Sequence, residues 1–283
     1  MKAGSTGSTG LTLRAVPEPT DSVPGSGVLG IWRLGACLHA GPRSQHWAAQ
    51  PADARGNPRW DYVVRTLPKQ PGDREAARAG LRRFAEAAAL AQDRHLVCVT
   101  DAACEGNEPF LVMPRLTGRT LNEALAANYR PPLAVALWWV RQAAQAAAAL
   151  HRAGLMHGDI RPETAWVAPD GTLTLLDLSS AVPLTDPAGV SEPSPTTADD
   201  LAALGHLLWN LLAYTCDRSA QTARLEPVAD LIAETLAPDP HARPTATQLV
   251  ERLECLELVY LGRHIRPEWG SAVTEPTELR PAA

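Results

Sequence analysis

Two aspartates, Asp159 and Asp177, enclose a stretch of the chain whose residue types suit phosphate chemistry. Residues 165–167 and 172–176 are β-prone runs, and the Ala-Pro-Asp-Gly sequence between them is a strong turn signal. The pattern predicts a hairpin with one carboxylate on the loop that enters it and the other just past its exit. Such a hairpin brings two acids to one opening, as a site for Mg²⁺ and phosphate requires.

Residues 157–164, with the sequence HGDIRPET, resemble the catalytic loop of protein kinases. The sequence Asp-Leu-Ser that begins at Asp177 resembles the D-F-G element that follows this loop in that family. A surface hairpin with two solvated acids is the simpler alternative, but the ordered pair of motifs favours the kinase-like interpretation. The resemblance implies an α+β, two-lobed protein-kinase-like fold with a small β-rich N-lobe and a larger helical C-lobe.

The resemblance also implies roles for four residues of this stretch. Asp159 takes the position of the catalytic base, and Arg161 stands in for the catalytic-loop lysine. Asp177 takes the position of the main Mg²⁺ ligand. Thr164 replaces the loop asparagine, and its single hydroxyl could bind a metal only weakly.

The glycine-rich phosphate loop of the family is poorly matched. Residues 39–47 keep only Gly41 of its glycines, which normally let backbone N–H groups approach phosphates without a Cβ in the way. Pro42 removes one of those N–H donors as well. We therefore expect a weak phosphate cradle, with Gly41 as its remaining glycine.

The lysine–glutamate pair of the family is also changed. Residues 60–67 predict the strand that carries the lysine, and Arg65 occupies the lysine position. Lys69 is a second possible cation, although a solvated surface lysine is the simpler interpretation. Residues 73–91 predict a helix, on which Phe84 takes the position of the glutamate. This alignment predicts that the ion pair of an active kinase is missing.

A segment that resembles the kinase hinge follows. Residues 96–100 and 110–113 predict two strands around a turn. The resemblance implies that Met113 is the gatekeeper and that the Leu116 N–H reads the adenine of ATP. A plain core strand with its exit loop fits these residues equally well.

The second lobe matches the family better. Residues 132–153 predict a buried helix that is apolar almost all round. Residues 200–214 resemble the central helix of the large kinase lobe, in which Asp200 would hold the backbone of the catalytic loop; a helix N-cap is the alternative role. Residues 243–245, Arg-Pro-Thr, resemble the family's closing helix pair and speak against a small-molecule phosphotransferase.

The segment between the D-F-G-like element and the central helix is short for a kinase activation segment. It is rich in Pro, Thr and Ser and offers only Ser191 and Glu192 as a remnant of the family's A-P-E motif. A platform for docking peptide substrates is therefore not expected.

Composition narrows the functional classes further. The chain has 283 residues and a net charge of −5, which gives no reason to expect a nucleic-acid partner. Five scattered cysteines without a C-x-x-C pair predict reduced thiols in a cytoplasmic protein. No apolar run reaches the roughly 18 residues that span a bilayer, so no membrane association is expected.

Four segments follow from composition and motifs. Residues 1–28 are rich in Gly, Ser, Thr and Pro and predict a disordered lead. Residues 29–115 correspond to the N-lobe, residues 116–265 to the C-lobe, and residues 266–283 to a Pro-rich tail.

Three functions remain open at this point. The first is a pseudokinase, a regulatory or binding module that acts on a protein partner and binds ATP and Mg²⁺ weakly or not at all. The second is a divergent but active Ser/Thr protein kinase that uses Arg65 or Lys69 to hold the phosphates of ATP. The third, a small-molecule phosphotransferase, fits the H-G-D sequence but not the closing helix pair.

Overall fold

The structure is a computed structural model that describes residues 27–54, 56–69, 74–184, 196–214 and 222–264. Most of the expected lead and tail, together with Ser191 and Glu192, lie outside the described residues.

The N-terminal half is built on an antiparallel sheet with the order β1-β2-β3-β4-β6-β5. Its strands are β1 (Val28–Leu29), β2 (Trp32–Ala40), β3 (Gln45–Pro51), β4 (Tyr62–Thr66), β5 (Asp101–Ala103) and β6 (Phe110–Pro114). A small apolar core on this sheet contains Trp32, Val64, Phe110 and Val112. The predicted strand with Arg65 is confirmed as β4 in the middle of the sheet.

The predicted strand over residues 96–100 is wrong. Leu96 forms only an isolated parallel bridge with Leu175, and the strand that pairs with β6 begins at Asp101. The reason is that the backbone of this segment is engaged elsewhere, because Val97 donates its N–H to the Leu175 carbonyl at 2.9 Å. The segment therefore connects the N-terminal sheet to the hairpin that carries Asp177.

Helix α1 (Arg74–Leu90) connects β4 to β5 and confirms the helix predicted over residues 73–91. Its buried face includes Leu81, Phe84 and Ala87. This face packs toward the sheet and the short 3₁₀ turn Leu178–Ser180, so α1 lies beside the end of the Asp177 segment.

The C-terminal half is mainly helical. It contains α2 (Leu121–Ala126), α3 (Leu133–Arg152), α4 (Thr197–Ala213), α5 (Thr222–Thr235), a 3₁₀ turn (Pro240–Ala242) and α6 (Ala246–His264). Helix α3 is buried along most of its length and packs against α4 and α6, which fits its alanine-rich sequence because small side chains allow helices to approach closely. Among the described residues, no helix is both long and apolar enough to cross a membrane.

Two small sheets complete this half. One contains β7 (Arg119–Thr120), β9 (Ala165–Val167) and β10 (Leu173–Leu175), and the other contains β8 (Leu155–Met156) and β11 (Val182–Pro183). The predicted hairpin is confirmed, because β9 and β10 pair antiparallel from Leu173–Val167 to Leu175–Ala165. A curled sheet followed by a helical half confirms the two-lobed α+β fold, while the segment boundaries given above stay predictions.

Candidate functional site

Asp177 lies directly after the hairpin, in an unusual backbone conformation. Its φ is 55° and its ψ is 70°, in the left-handed region that non-glycine residues rarely adopt. Its side chain accepts the Ser179 N–H at 3.2 Å and so stabilises the turn. Strained backbone of this kind is often found at functional sites.

Arg65 reaches across from β4 and binds Asp177 with two nitrogens. Arg65 Nη1 lies 2.7 Å from Asp177 Oδ1, and Nη2 lies 3.4 Å from Oδ2. The side chain of Arg65 is 7% exposed and that of Asp177 is 38% exposed, so the cation is inside the protein and the carboxylate is at the opening.

The pKa of Asp177 reflects this pairing. Burial alone would raise the pKa, but the charge of Arg65 and the hydrogen bonds from Arg65 and Ser179 lower it to about 2. Asp177 is therefore a carboxylate at neutral pH, and its charge is balanced by a side chain of the same protein.

Phe84 holds the other side of the guanidinium. The Cζ atom of Arg65 lies 5.3 Å from the centroid of the Phe84 ring, within the range of a cation–π contact. Phe84 therefore faces Arg65. Lys69 is exposed, and its ammonium lies 5.6 Å from the ring of Trp47 rather than beside Asp177.

The second acid, Asp159, is also paired with an arginine. Arg161 Nε lies 2.7 Å from Asp159 Oδ1, and Arg161 Nη1 lies 3.6 Å from a Glu163 carboxylate oxygen. Thr164 supports the same loop from beneath: its hydroxyl donates to the Asp159 carbonyl at 2.7 Å and accepts the Arg161 N–H at 3.1 Å. Because this hydroxyl bonds to backbone, it has little capacity left for a metal ion.

The loop that carries Asp159 is held from below by Asp200. Asp200 is 1% exposed and accepts the backbone N–H groups of His157 at 2.8 Å and Gly158 at 3.0 Å. The ring of His151 lies 2.8 Å from the same carboxylate. Burial alone would raise the pKa of Asp200, but these hydrogen bonds outweigh burial and lower it.

His157 connects this loop to the Asp177 segment. Its Nε2 donates to the Leu176 carbonyl at 3.0 Å, and burial, the largest effect, lowers its pKa so that the ring stays neutral. Gly158 has a φ of 75°, and a Cβ at this position would lie 2.6 Å from the Ser180 carbonyl oxygen. The close approach of the two segments therefore requires glycine here.

The turn between β2 and β3 lies next to His46, the residue of β3 that pairs with Arg65. Gly41 donates its N–H to the Ser44 carbonyl at 2.9 Å, which closes the turn. His46 is the direct cross-strand partner of Arg65, and its ring lies 5.4 Å from that of His39. Burial and the charges of Arg65 and His39 lower the pKa of His46 to about 4, so this ring is neutral at pH 7.

Sequence reasoning missed His46 as a residue of this site. The signal that could have found it is its place at the valine position of the glycine-loop pattern when Gly41 is aligned with the second glycine.

Met113 and Leu116 lie at the end of the sheet. Met113 is buried in β6 and pairs with Val63, and Leu116 follows in the exposed connection to the second half. Arg115 donates its N–H to the Asp61 carbonyl at 2.8 Å, which fixes the connection against the sheet. The two residues thus lie on one short segment, as a hinge requires, and their contact with adenine stays a prediction.

No protein-family model matches the chain. The serine/threonine-protein kinase PknL of Mycobacterium tuberculosis is 39% identical over 100 residues, which cover 34% of this chain and 25% of PknL. The serine/threonine-protein kinase PknD of the same species is 28% identical over 225 residues, which cover 77% of this chain and 30% of PknD.

A third relative is the serine/threonine-protein kinase PknH of Mycobacterium bovis, with 26% identity over 65% of this chain and 30% of PknH. The aligned part thus spans between a quarter and a third of the length of each of these relatives. The sequence similarity, the two-lobed fold and the geometry of the loop that carries Asp159 all support the same conclusion. The chain is protein-kinase-like.

Mg²⁺ is the metal ion that kinases use, and the side chains of this site can be matched to the ligands it requires. Mg²⁺ requires oxygen ligands in near-octahedral geometry. Both oxygens of Asp177 face Arg65, and the Thr164 hydroxyl is bonded to its own loop. No group of three or more metal-binding side chains occurs in the part of the chain that the structure describes. In this arrangement Mg²⁺ would have to compete with Arg65 for Asp177, and the Thr164 hydroxyl could offer it little.

Proposed function

We propose that this kinase-like chain is a pseudokinase, a regulatory or binding module with weak or no transfer of phosphate from ATP. The observation that carries the proposal is that each of the two acids is paired with an arginine of the same chain. Asp177 binds Arg65, and Asp159 binds Arg161. Arg65 competes with a metal ion for both oxygens of Asp177, and Arg161 competes with a proton for Oδ1 of Asp159.

Phosphoryl transfer depends mainly on positioning and on neutralising charge, so the electrostatics of these pairs matter for the rate. In the proposed state, Arg65 neutralises Asp177 instead of a phosphate oxygen. The Thr164 hydroxyl is bonded to backbone and does not compensate. Each preorganised charge contact that is lost typically costs about 3 kcal/mol of transition-state stabilisation, or roughly a hundredfold in rate.

A module of this kind acts through a protein partner, and we propose such a partner for this chain. ATP and Mg²⁺ belong to the proposal only as weak ligands of the cleft. The relatives are serine/threonine-protein kinases by name, and this supports a protein as the partner of this chain. The scattered cysteines, free thiols at the four described positions, support a cytoplasmic site of action.

The alternative is a divergent active Ser/Thr kinase that transfers the γ-phosphate of ATP to protein hydroxyls. One observation favours it: the support of the catalytic loop is intact, because Asp200 holds the backbone of His157 and Gly158. A preserved support would keep Asp159 in position if the Arg161 contact opened during turnover.

Labelling with radioactive ATP separates these functions. We expect the unaltered chain to phosphorylate neither itself nor a generic protein substrate above the level of an Asp159→Asn variant. Asp170→Asn, a change of the same kind at an exposed turn of the hairpin, is the matched control for nonspecific effects. Robust labelling that both Asp159→Asn and Asp177→Asn abolish, and Asp170→Asn does not, would establish an active kinase instead.

A further inference from the structure

The guanidinium of Arg65 has two very different neighbours. On one side, Asp177 offers a carboxylate at 2.7 Å. On the other side, the ring of Phe84 lies 5.3 Å from the centre of the guanidinium. Arg65 and Phe84 are both buried, with Phe84 only 1% exposed, so water has little access to the guanidinium on the side of the ring.

These two neighbours differ in what they can do for a buried cation. An aromatic face attracts a cation through its quadrupole, but it carries no net charge and accepts no strong hydrogen bond. A buried guanidinium needs an anion and acceptors for its N–H groups. Within the described residues, Asp177 is the one acid in contact with Arg65. The charge of Arg65 is therefore directed to Asp177.

The position of Phe84 is fixed independently of this contact. The neighbouring Arg83 donates from Nε to the Ser179 carbonyl at 2.8 Å, and a Cβ added at Gly80, one turn earlier, would lie 3.4 Å from the Cβ of Ser179. These contacts hold α1 against the turn that follows Asp177. A side chain at position 84 consequently faces Arg65 whatever its chemistry, and a carboxylate there would compete with Asp177.

We infer that Phe84 is a positioning residue that commits Arg65 to Asp177 and thereby closes the cleft to divalent metal ions. This inference rests on the proposed pseudokinase function, and it names Phe84 as the side chain that keeps Asp177 paired with Arg65. Replacing Phe84 with an acid would give Arg65 a second anion, and Asp177 would then be available as a carboxylate ligand for a divalent metal ion.

The test compares the binding of ADP in the presence of Mn²⁺ and in the presence of EDTA, by calorimetry on the full chain. For the unaltered chain we expect no metal-dependent gain. For Phe84→Glu we expect ADP to bind at least about tenfold more tightly with Mn²⁺ than with EDTA, the effect of one new charge contact. Phe84→Leu, which removes the ring without adding an acceptor, should behave like the unaltered chain.

A further variant assigns any gain to Asp177. Adding Asp177→Asn to Phe84→Glu should remove the metal dependence, because the metal would then lose its carboxylate ligand. A gain that survives this addition means that the new glutamate binds the metal itself, and the inference is then wrong. An equal gain in Phe84→Leu also overturns it, since loss of the ring alone would be sufficient.

Phe84→Gln provides the test if the buried glutamate prevents folding, as judged by circular dichroism. Its amide oxygen accepts from the guanidinium without burying a charge, so we expect a smaller but measurable metal dependence. A folded Phe84→Gln or Phe84→Glu without any metal dependence overturns the role of Phe84. Metal-dependent ADP binding by the unaltered chain also overturns the inference, because the cleft would then be open to metal ions. The proposed function fails only if the unaltered chain transfers phosphate in the labelling experiment, so the two failures are distinguishable.

Discussion

Asp200 lies directly beneath His157 and accepts its backbone N–H at 2.8 Å. The same carboxylate accepts the N–H of Gly158, and the pair fixes the loop that presents Asp159. This support is independent of nucleotide and metal, since all its contacts lie within the chain. The loop can therefore keep its shape even where the charged contacts of the cleft have changed.

Replacing Asp200 with alanine should destabilise the protein by about 1–3 kcal/mol, because two buried N–H groups lose their acceptor. The measurement is the free energy of unfolding in urea. Asp200→Asn should cost less, since an amide oxygen can still accept one of the bonds. Asp230→Ala, at an exposed position of α5, is the control and should stay within about 0.5 kcal/mol of the unaltered chain. An Asp200→Ala variant as stable as this control would contradict the structural role of Asp200.

The ion pair between Arg65 and Asp177 predicts a specific pH dependence. The pKa of Asp177 in the folded state is about 2, below the value of about 3.9 in an unfolded chain. A lowered folded-state pKa means that the stabilisation is complete above about pH 4 and is lost as the pH falls toward 2.

A double-mutant cycle with Arg65→Met and Asp177→Asn measures this coupling. Because the carboxylate is 38% exposed, we expect only about 1–2 kcal/mol at pH 7. Repeating the cycle toward pH 3 should give a smaller coupling energy, because Asp177 of the unfolded chain then takes up a proton while the folded protein resists it. A coupling energy that is zero at pH 7, or that grows in acid, would show that the pair does not form in solution.

The local elements of this fold were accessible from the sequence because they depend on local patterns. The hairpin β9–β10 follows from two β-prone runs around a Pro-Asp-Gly turn, and α1 follows from apolar spacing in an alanine-rich segment. The predicted strand at residues 96–100 failed because its backbone bonds to β10, far away in sequence. Local β-propensity carries no information about which partner a strand will find.

The sequence identified the residues of the candidate site but not the contacts between them. Arg65 and Asp177 were assigned separately to phosphate and to metal, and the structure shows them bound to each other across 112 positions of sequence. Such a contact depends on how far side chains reach inside the cleft. The strand register likewise sets His46 opposite Arg65, a pairing that the sequence did not give.

His46 should make the protein less stable in mild acid. Burial, followed by the charges of Arg65 and His39, lowers its pKa to about 4, against about 6.5 in an unfolded chain. Between these values the unfolded chain binds more protons than the folded one, so stability falls as the pH drops from about 6.5 to 4. The loss can reach about 3 kcal/mol. His46→Gln should flatten this part of the stability curve, whereas His241→Gln at an exposed site should not. Identical slopes for the unaltered chain and His46→Gln would mean that folding does not lower the pKa of His46.

Gly118 and Gly106 both have a positive φ, but replacing each with alanine should lower the free energy of unfolding by unequal amounts. Gly118 has a φ of 122°, and a Cβ there would overlap the carbonyl oxygen of Val167, next to the pairing of β7 with β9. Gly106 has a φ of 84° in a turn, and a Cβ there would meet no atom within 4 Å.

Gly106→Ala should therefore cost only the backbone strain of about 1–2 kcal/mol. Gly118→Ala adds a clash with backbone that cannot move without breaking the β7–β9 pairing, and should cost about 3–4 kcal/mol. Urea unfolding of both variants in parallel measures the difference. Equal losses would show that the segment between the lobes yields to the added methyl group, and that the close contact of Gly118 with Val167 is not needed to hold β7 in place.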